Sequence, residues 1–229
     1  MNDNCLHSIP GFSDPFSSIT HLLGAGVYLL LSVRMLCRRQ GQVWAFAIFA
    51  FSCVFMLSIS GVYHLLGSGT GRAVLQRLDH AAIFVLIAGT MTPIHAVLFD
   101  GFMRWGWLLL VWSVVVTTIT LKTIFFTAVP EWLGLTFFLG LGWLGAITAG
   151  LLWYRLGITY AKPILYGGVA YSIGAMLEFL GQPVLIPGGI GPHELFHITV
   201  LVGITCHWRF VASLATDQHL TVPNNALSV

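Results

Sequence analysis

The chain consists of seven long apolar runs separated by short breaks that are polar or contain glycine and proline. A helix that crosses a bilayer needs about 20 predominantly apolar residues, and each run approaches or exceeds that length. The runs do not alternate polar and apolar residues, as the strands of a membrane β-barrel do. The sequence therefore predicts an all-α polytopic membrane protein with seven transmembrane helices in one bundle, at approximately 16–36, 42–66, 78–99, 105–122, 131–154, 163–181 and 192–213.

The composition also indicates a membrane protein. Of its 229 residues, 57% are hydrophobic and 8% are charged, whereas about a quarter of the residues of a soluble domain are charged. A formal net charge of +2 is too small to indicate a nucleic-acid partner, so we expect membrane lipid to be the partner. The four cysteines form no closely spaced pair, which predicts neither a disulfide framework nor a cysteine metal site.

The apolar runs divide the chain into a short polar N-terminal tail (1–15), a seven-helix domain (16–213) and a polar C-terminal tail (214–229). The first ten residues are polar and lack a basic segment, which predicts no cleavable signal peptide. Asp14 and Pro15 form the pattern of an N-cap followed by a first-turn proline. The first helix is therefore predicted to begin there.

The distribution of lysine and arginine predicts the orientation, because cytoplasmic loops carry more of these residues. Seven basic residues belong to one side of the bundle and three to the other. The first side is predicted to be cytoplasmic, which places the N-terminus outside a bacterial inner (cell) membrane. The larger set is Arg34, Arg38, Arg39, Arg104, Arg155, Lys162 and Arg209, and the smaller set is Arg72, Arg77 and Lys122.

Ionisable residues gather at one face of the predicted bundle. His193 and His197 open the seventh helix and, being four residues apart, lie on one side of it. His64 closes the second helix and Asp79 opens the third. The end of an even-numbered helix and the start of an odd-numbered one lie at the same membrane surface, so these groups are expected to converge. Ser60 shares the helix face of His64.

Three imidazoles can coordinate zinc and leave the fourth tetrahedral position for a water, whose pKa falls to about 7. We therefore predict His64, His193 and His197 as metal ligands. Asp79 and Ser60 are the predicted catalytic residues, with Asp79 taking a proton from the water and Ser60 donating a hydrogen bond. In the structural alternatives, Asp79 caps the third helix and Ser60 bonds to its own helix backbone.

His193, Glu194 and His197 also match the zincin pattern, in which the glutamate is a general base. The metzincin extension is missing, and the rest of the seventh apolar run contains no acidic third ligand. This alternative is therefore less favoured than a site shared with His64. Two further residues fall on the same leaflet: His21 is a lesser candidate for an outer-shell role, and Glu178 either lines the cavity or is an unpartnered interfacial acid.

The motifs Ser60-x-x-x-His64, Leu78-Asp79-His80 and His193-x-x-x-His197 resemble those of the hemolysin III proteins. That family belongs to the progestin and adipoQ receptors, within a superfamily that includes the alkaline ceramidases. The resemblance extends from Ile19-Thr20-His21-Leu22-Leu23-Gly24 to Trp208. It implies a seven-helix fold, zinc held by the three histidines, and ceramidase-like hydrolysis of a lipid amide. The adiponectin receptors have their N-terminus inside, opposite to the orientation that the charges predict here.

Three functional classes remain. A zinc hydrolase acting on a membrane-lipid amide ranks first, because a metal site within a bundle suits a lipid substrate. A receptor of the hemolysin III type with a structural zinc site ranks second. A cytolytic membrane protein ranks third, because a pore would need polar residues along the whole length of its helices, whereas these helices are polar mainly at one end.

Overall fold

The computed structural model describes residues 13–39, 41–126, 128, 130–187 and 189–216. Most of both predicted tails, residues 1–12 and 217–229, lies outside the described residues. The described chain forms seven α-helices, all long and apolar enough to cross a membrane. The predicted all-α, seven-helix fold is therefore confirmed. The helices are α1 (Pro15–Arg38), α2 (Val43–Leu65), α3 (Thr70–Leu98), α4 (Gly101–Ile124), α5 (Glu131–Leu156), α6 (Ile158–Leu180) and α7 (Pro192–Thr216).

The largest difference from the predicted bounds is at α3, which begins at Thr70 rather than near residue 78. The additional turns contain polar residues among apolar ones, and their Arg72 donates to the backbone oxygens of Tyr63 (3.1 Å) and Leu66 at the end of α2. These contacts allow the helix to extend past its apolar run. Asp79 consequently lies about two and a half turns inside α3. The alternative in which Asp79 caps that helix is wrong.

Helix α3 occupies the centre of the bundle. It is the most buried of the seven helices and packs against α2, α4, α5 and α7. Around it, α1 packs against α2 and α7, and α6 packs between α5 and α7. Apolar side chains such as Leu30, Phe102 and Leu109 point outward and are exposed, as expected for surfaces that contact lipid.

The buried apolar side chains form two clusters among the described residues. The larger cluster includes Phe49 and Leu57 of α2 together with Ile204 and Trp208 of α7. The smaller one joins α3, α4 and α5. The larger cluster fixes α7 against α2, which is the pairing that the predicted site needs.

A close approach of α1 and α2 places the start of α1 beside His64. The Asp14 amide donates to the backbone oxygen of His64 (2.9 Å), and the Ser18 hydroxyl donates to that of Gly61 (2.8 Å). A Cβ atom on Gly61 would lie 2.7 Å from Cγ and 3.1 Å from the backbone nitrogen of Leu22. Only glycine at position 61 permits this approach without a shift of α1.

Replacing Gly61 with alanine is expected to destabilise the protein by about 1–3 kcal/mol, because the added methyl group overpacks the α1–α2 contact. Thermal unfolding in detergent measures the effect. Gly150→Ala is the matched control, since a Cβ on that helical glycine meets nothing within 4 Å. Equal melting temperatures for the two variants would contradict the close packing.

Candidate metal centre

Three histidines from two helices meet at one end of the bundle. His64 belongs to the last turn of α2, and His193 and His197 belong to the first turns of α7. Each offers a ring nitrogen, and the three lie within 4.8 Å of one another. The Nε2 atom of His193 is 3.3 Å from that of His64 and 3.1 Å from that of His197. The sequence prediction that these residues converge is therefore correct.

The other ring nitrogen of each histidine faces a partner outside the group. The Nδ1 atom of His64 lies 2.9 Å from Oδ2 of Asp14, and Nδ1 of His193 lies 3.1 Å from Oε1 of Glu178. The Nδ1 atom of His197 lies 3.0 Å from Nε2 of His21. A carboxylate can only accept a hydrogen bond, so His64 and His193 donate from Nδ1. In the neutral rings, their Nε2 atoms then carry lone pairs.

These distances allow a test of whether the group fits a metal ion. With Zn–N bonds of 2.0–2.1 Å in a tetrahedral site, two ligand nitrogens are roughly 3.3–3.4 Å apart. The observed separations of 3.3 and 3.1 Å are close to that value. Neutral imidazoles that donate from Nδ1 would direct only lone pairs at one another, and a shared cation relieves that repulsion. The donor set and these two separations therefore fit a tetrahedral metal ion, and the third pair, His64 and His197, lies within 4.8 Å.

The sequence predicted Asp14 as the N-cap of the first helix, but the structure gives its side chain another role. It precedes α1, but its side chain makes no capping hydrogen bond. The carboxylate instead accepts from His64 and lies 3.6 Å from Nη2 of Arg72. The hydrogen bond from His64, aided by the charge of Arg72, lowers the pKa of Asp14 despite its partial burial, so Asp14 is ionised at neutral pH. The end of α2 and the starts of α1 and α7 lie at the same membrane surface. The reasoning that predicted His64 near α7 therefore also predicts Asp14 near this site.

Asp79 and Ser60 lie at the wall of a central cavity of about 790 Å³, which His193 and His197 also line. The cavity continues between α3, α5, α6 and α7 as far as His207. That residue is ten positions after His197, roughly 15 Å along the helix. Most of the lining side chains are apolar, including Phe138, Leu139, Ile164, Leu165 and Phe196. The structure thus places both predicted catalytic residues and two of the three histidines on one apolar cavity.

Glu194, the base of the zincin alternative, has another partner. Its Oε2 atom accepts a hydrogen bond from the backbone amide of Gly191 at 2.8 Å. Gly191 immediately precedes α7, so this contact is the reciprocal half of a capping box. The side chain is buried. Capping the helix accounts for Glu194 without a catalytic role.

The remaining described histidines have partners of their own. The His80 ring lines the cavity, and its Nδ1 atom is 2.7 Å from the backbone oxygen of Gln76. His95 contacts Met103 and Thr148, and His207 contacts the backbone oxygen of Ile164. None of the three belongs to the metal-binding group found among the described residues. His7 and His219 lie outside them.

The fold and this group define a class: an integral membrane protein of seven helices, with a group of three histidines, two of them buried, that is able to hold a metal ion. The sequence pattern of the family described as Haemolysin-III related matches residues 12–208. The chain belongs to that family. The resemblance inferred from the sequence motifs is confirmed.

Individual relatives agree with this assignment. A Hemolysin-3 homolog of Bacillus subtilis (strain 168) is 31% identical over 194 residues, which cover 82% of this chain and 87% of that protein. Hemolysin-3 of Bacillus cereus is 27% identical over 192 residues, with coverages of 82% and 84%. An ADIPOR-like receptor of Saccharomyces cerevisiae is 28% identical over 198 residues, which cover 78% of this chain and 61% of the yeast protein.

Proposed function

We propose that this protein is a zinc-dependent hydrolase of a membrane-lipid amide, with ceramidase-like activity. The observation that carries the proposal is a group of three imidazole nitrogens beside an apolar cavity, all within 4.8 Å of one another, with two of their separations close to those of tetrahedral ligands. His64, His193 and His197 would hold the metal. Bound there, zinc would supply a Lewis acid that polarises a carbonyl and makes a water easier to deprotonate.

The roles of the other residues follow from their places in the cavity. The Asp79 carboxylate would take the proton of the attacking water and return it to the leaving amine. The Ser60 hydroxyl, also on the cavity wall, would donate a hydrogen bond to the substrate carbonyl oxygen. The apolar lining between α3, α5 and α6 would accommodate the acyl chain and exclude bulk water from the amide.

A structural-zinc receptor is the second candidate. The histidines and their partners come from α1, α2, α6, α7 and the residue before α1, so a bound ion would also hold these elements together. The yeast relative is described as an ADIPOR-like receptor. The cytolytic alternative is in keeping with the name of the Bacillus cereus relative, and it ranks third.

We also propose the inner membrane of a bacterial cell as the location, with the N-terminus outside. The proposal depends on the excess of basic residues on the opposite side of the bundle. It would put the histidine group on the outer surface. Labelling of Cys37 with a membrane-impermeant thiol reagent in intact cells tests it, because this free cysteine is exposed at the other end of α1. The test uses a Cys5→Ser variant, since a thiol in the N-terminal tail would be labelled from outside in the proposed orientation. Labelling of Cys37 before lysis would show that the N-terminus lies inside and would contradict the proposed orientation.

Removal and return of the metal tests the hydrolase. Purified protein in detergent is expected to release fatty acid from a panel of N-acyl lipids, to lose that activity after dialysis against a chelator, and to recover it with one equivalent of zinc. A matching panel of lipid esters, with the same acyl chains, shows whether the protein prefers amide or ester bonds. Zinc-loaded, folded protein that hydrolyses neither amides nor esters would overturn the hydrolase and leave the structural-zinc receptor.

A further inference from the structure

We propose that Asp14, Glu178 and His21 are positioning residues for the metal: an outer shell that sets the tautomer of each histidine. The inference rests on the metal site of the proposed function, but not on hydrolysis. Asp14 and Glu178 can only accept from Nδ1–H, which leaves the Nε2 lone pairs of His64 and His193 for the ion. At the contact between His197 and His21 either nitrogen can be the donor, and in the proposed shell that role belongs to His197. Without such partners, each neutral imidazole would be free to carry its proton on Nε2.

The outer shell comes from parts of the chain that supply no metal ligand. Asp14 precedes α1, His21 lies two turns into α1, and Glu178 belongs to the last turn of α6. Asp14 and His21 are seven positions apart, so they lie on one side of the first turns. That side contacts His64 and His197, whereas Glu178 of α6 contacts His193. Each of the three ligands therefore has one outer-shell partner from an element that supplies no ligand.

The proposed assignment also defines the tautomer of His21. His197 donates from Nδ1 only if Nε2 of His21 accepts, which places the His21 proton on Nδ1. That Nδ1 atom is buried and has no partner among the described residues. A buried imidazole that is not fully satisfied is costly. In the proposed assignment, this cost accompanies the tautomer of His197 that binds the metal.

The carboxylates of Asp14 and Glu178 are expected to differ in how much they contribute to metal affinity. In the His64–Asp14 pair the side chains are 2% and 25% exposed, whereas in the His193–Glu178 pair they are 37% and 44% exposed. Water competes more strongly with an exposed hydrogen bond than with a buried one. Asp14 is also held in place by its backbone bond to His64 and by Arg72. Loss of Asp14 should therefore weaken metal binding more than loss of Glu178.

The test is the zinc affinity of the full chain in detergent, measured by competition with a chromophoric chelator. Outer-shell partners are typically worth 10–100-fold in metal affinity. Asp14→Ala is expected to weaken binding by about that factor, and Glu178→Ala by about 10-fold or less. Asp14→Asn keeps an oxygen that can accept from His64 and should recover most of the loss. His21→Phe keeps the ring volume but removes the acceptor, and should also weaken binding.

Asp100→Ala is the matched control. Asp100 also precedes a helix and pairs with a basic residue, Arg104, at 2.8 Å, but it lies at the opposite end of the bundle. Its removal should leave zinc affinity unchanged. The visible absorption of the Co²⁺-loaded proteins gives a second readout, because an altered tautomer distorts the ligand geometry without unfolding the chain.

Wild-type affinity in Asp14→Ala and Glu178→Ala would overturn the outer shell. If Asp14→Ala does not fold, Asp14→Asn and Glu178→Ala decide the question, since wild-type affinity in both would overturn it too. Wild-type protein that binds no zinc would overturn the metal site and the shell together. Wild-type protein that binds zinc, shows the graded losses and hydrolyses nothing supports the shell and overturns only the hydrolase.

Discussion

Replacing His64 with alanine is expected to abolish stoichiometric zinc binding. Purified wild-type protein should contain about one zinc per chain after desalting, as a single tetrahedral site requires. The variant loses one of three ligands and also leaves Asp14 without its hydrogen-bond donor. The affinity should fall by more than the 10–100-fold typical of outer-shell partners. Elemental analysis of the purified variant measures the loss.

Two further variants make this result specific. His197→Ala should lose zinc as His64→Ala does, because both side chains belong to the same group. His80→Ala is the control: it removes an imidazole that lines the same cavity but bonds to the backbone of Gln76. It should keep its zinc. Retention of zinc in His64→Ala together with its loss in His197→Ala would contradict the three-histidine site and favour a zincin-like site on α7.

Much of the site follows from connectivity. The seven apolar runs fix which helix ends share a membrane surface, and that alone places His64 near His193 and His197. The four-residue spacing of the last two puts them on one side of α7. Helix periodicity and topology are properties of the whole chain, so these predictions needed no knowledge of any individual contact.

The remainder depends on contacts between distant side chains. The first turns of α3 contain polar residues among apolar ones, and they are helical because Arg72 is bound by the end of α2 and by Asp14. No local pattern reports those partners. Asp14 and Pro15 likewise match an N-cap, although the carboxylate bonds to His64. Glu194 resembles a catalytic glutamate, but Gly191 is its partner. For Arg72 and Asp14 a tertiary contact determines a role that the local sequence leaves open, whereas the contact of Glu194 is local and competes with a catalytic reading of the same residue.

The role of Glu178 shows the same limit. The sequence placed it on the correct leaflet but gave no reason to prefer a cavity residue to an unpartnered acid. The structure places it on the cavity wall, 3.1 Å from Nδ1 of His193. That distance depends on the packing of α6 against α7, where a Cβ on Gly174 would lie 3.1 Å from Cδ2 of Phe196. How closely α6 and α7 approach depends on how their surfaces fit together, and no pattern in the sequence of either helix alone predicts that fit.

Replacing Asp79 with asparagine is expected to lower the turnover of a lipid amide by about 10²–10⁴-fold, the usual contribution of a general acid–base residue. Asparagine has nearly the same shape as aspartate, but its amide cannot take up the proton of the attacking water. Zinc content and the melting temperature should remain those of the wild type, because Asp79 belongs to the cavity wall and not to the metal-binding group.

The comparison that gives this result its meaning pairs Asp79→Asn with Ser60→Ala and His64→Ala under saturating substrate. Ser60→Ala removes one hydrogen-bond donor and should reduce turnover by a smaller factor than Asp79→Asn. His64→Ala should lose zinc and thermal stability together with activity. A structural-zinc receptor predicts the same loss of zinc and thermal stability in His64→Ala, but no turnover in the wild type or in any of the three variants. Wild-type turnover in Asp79→Asn would exclude Asp79 as the base, because the asparagine amide at that position cannot accept a proton.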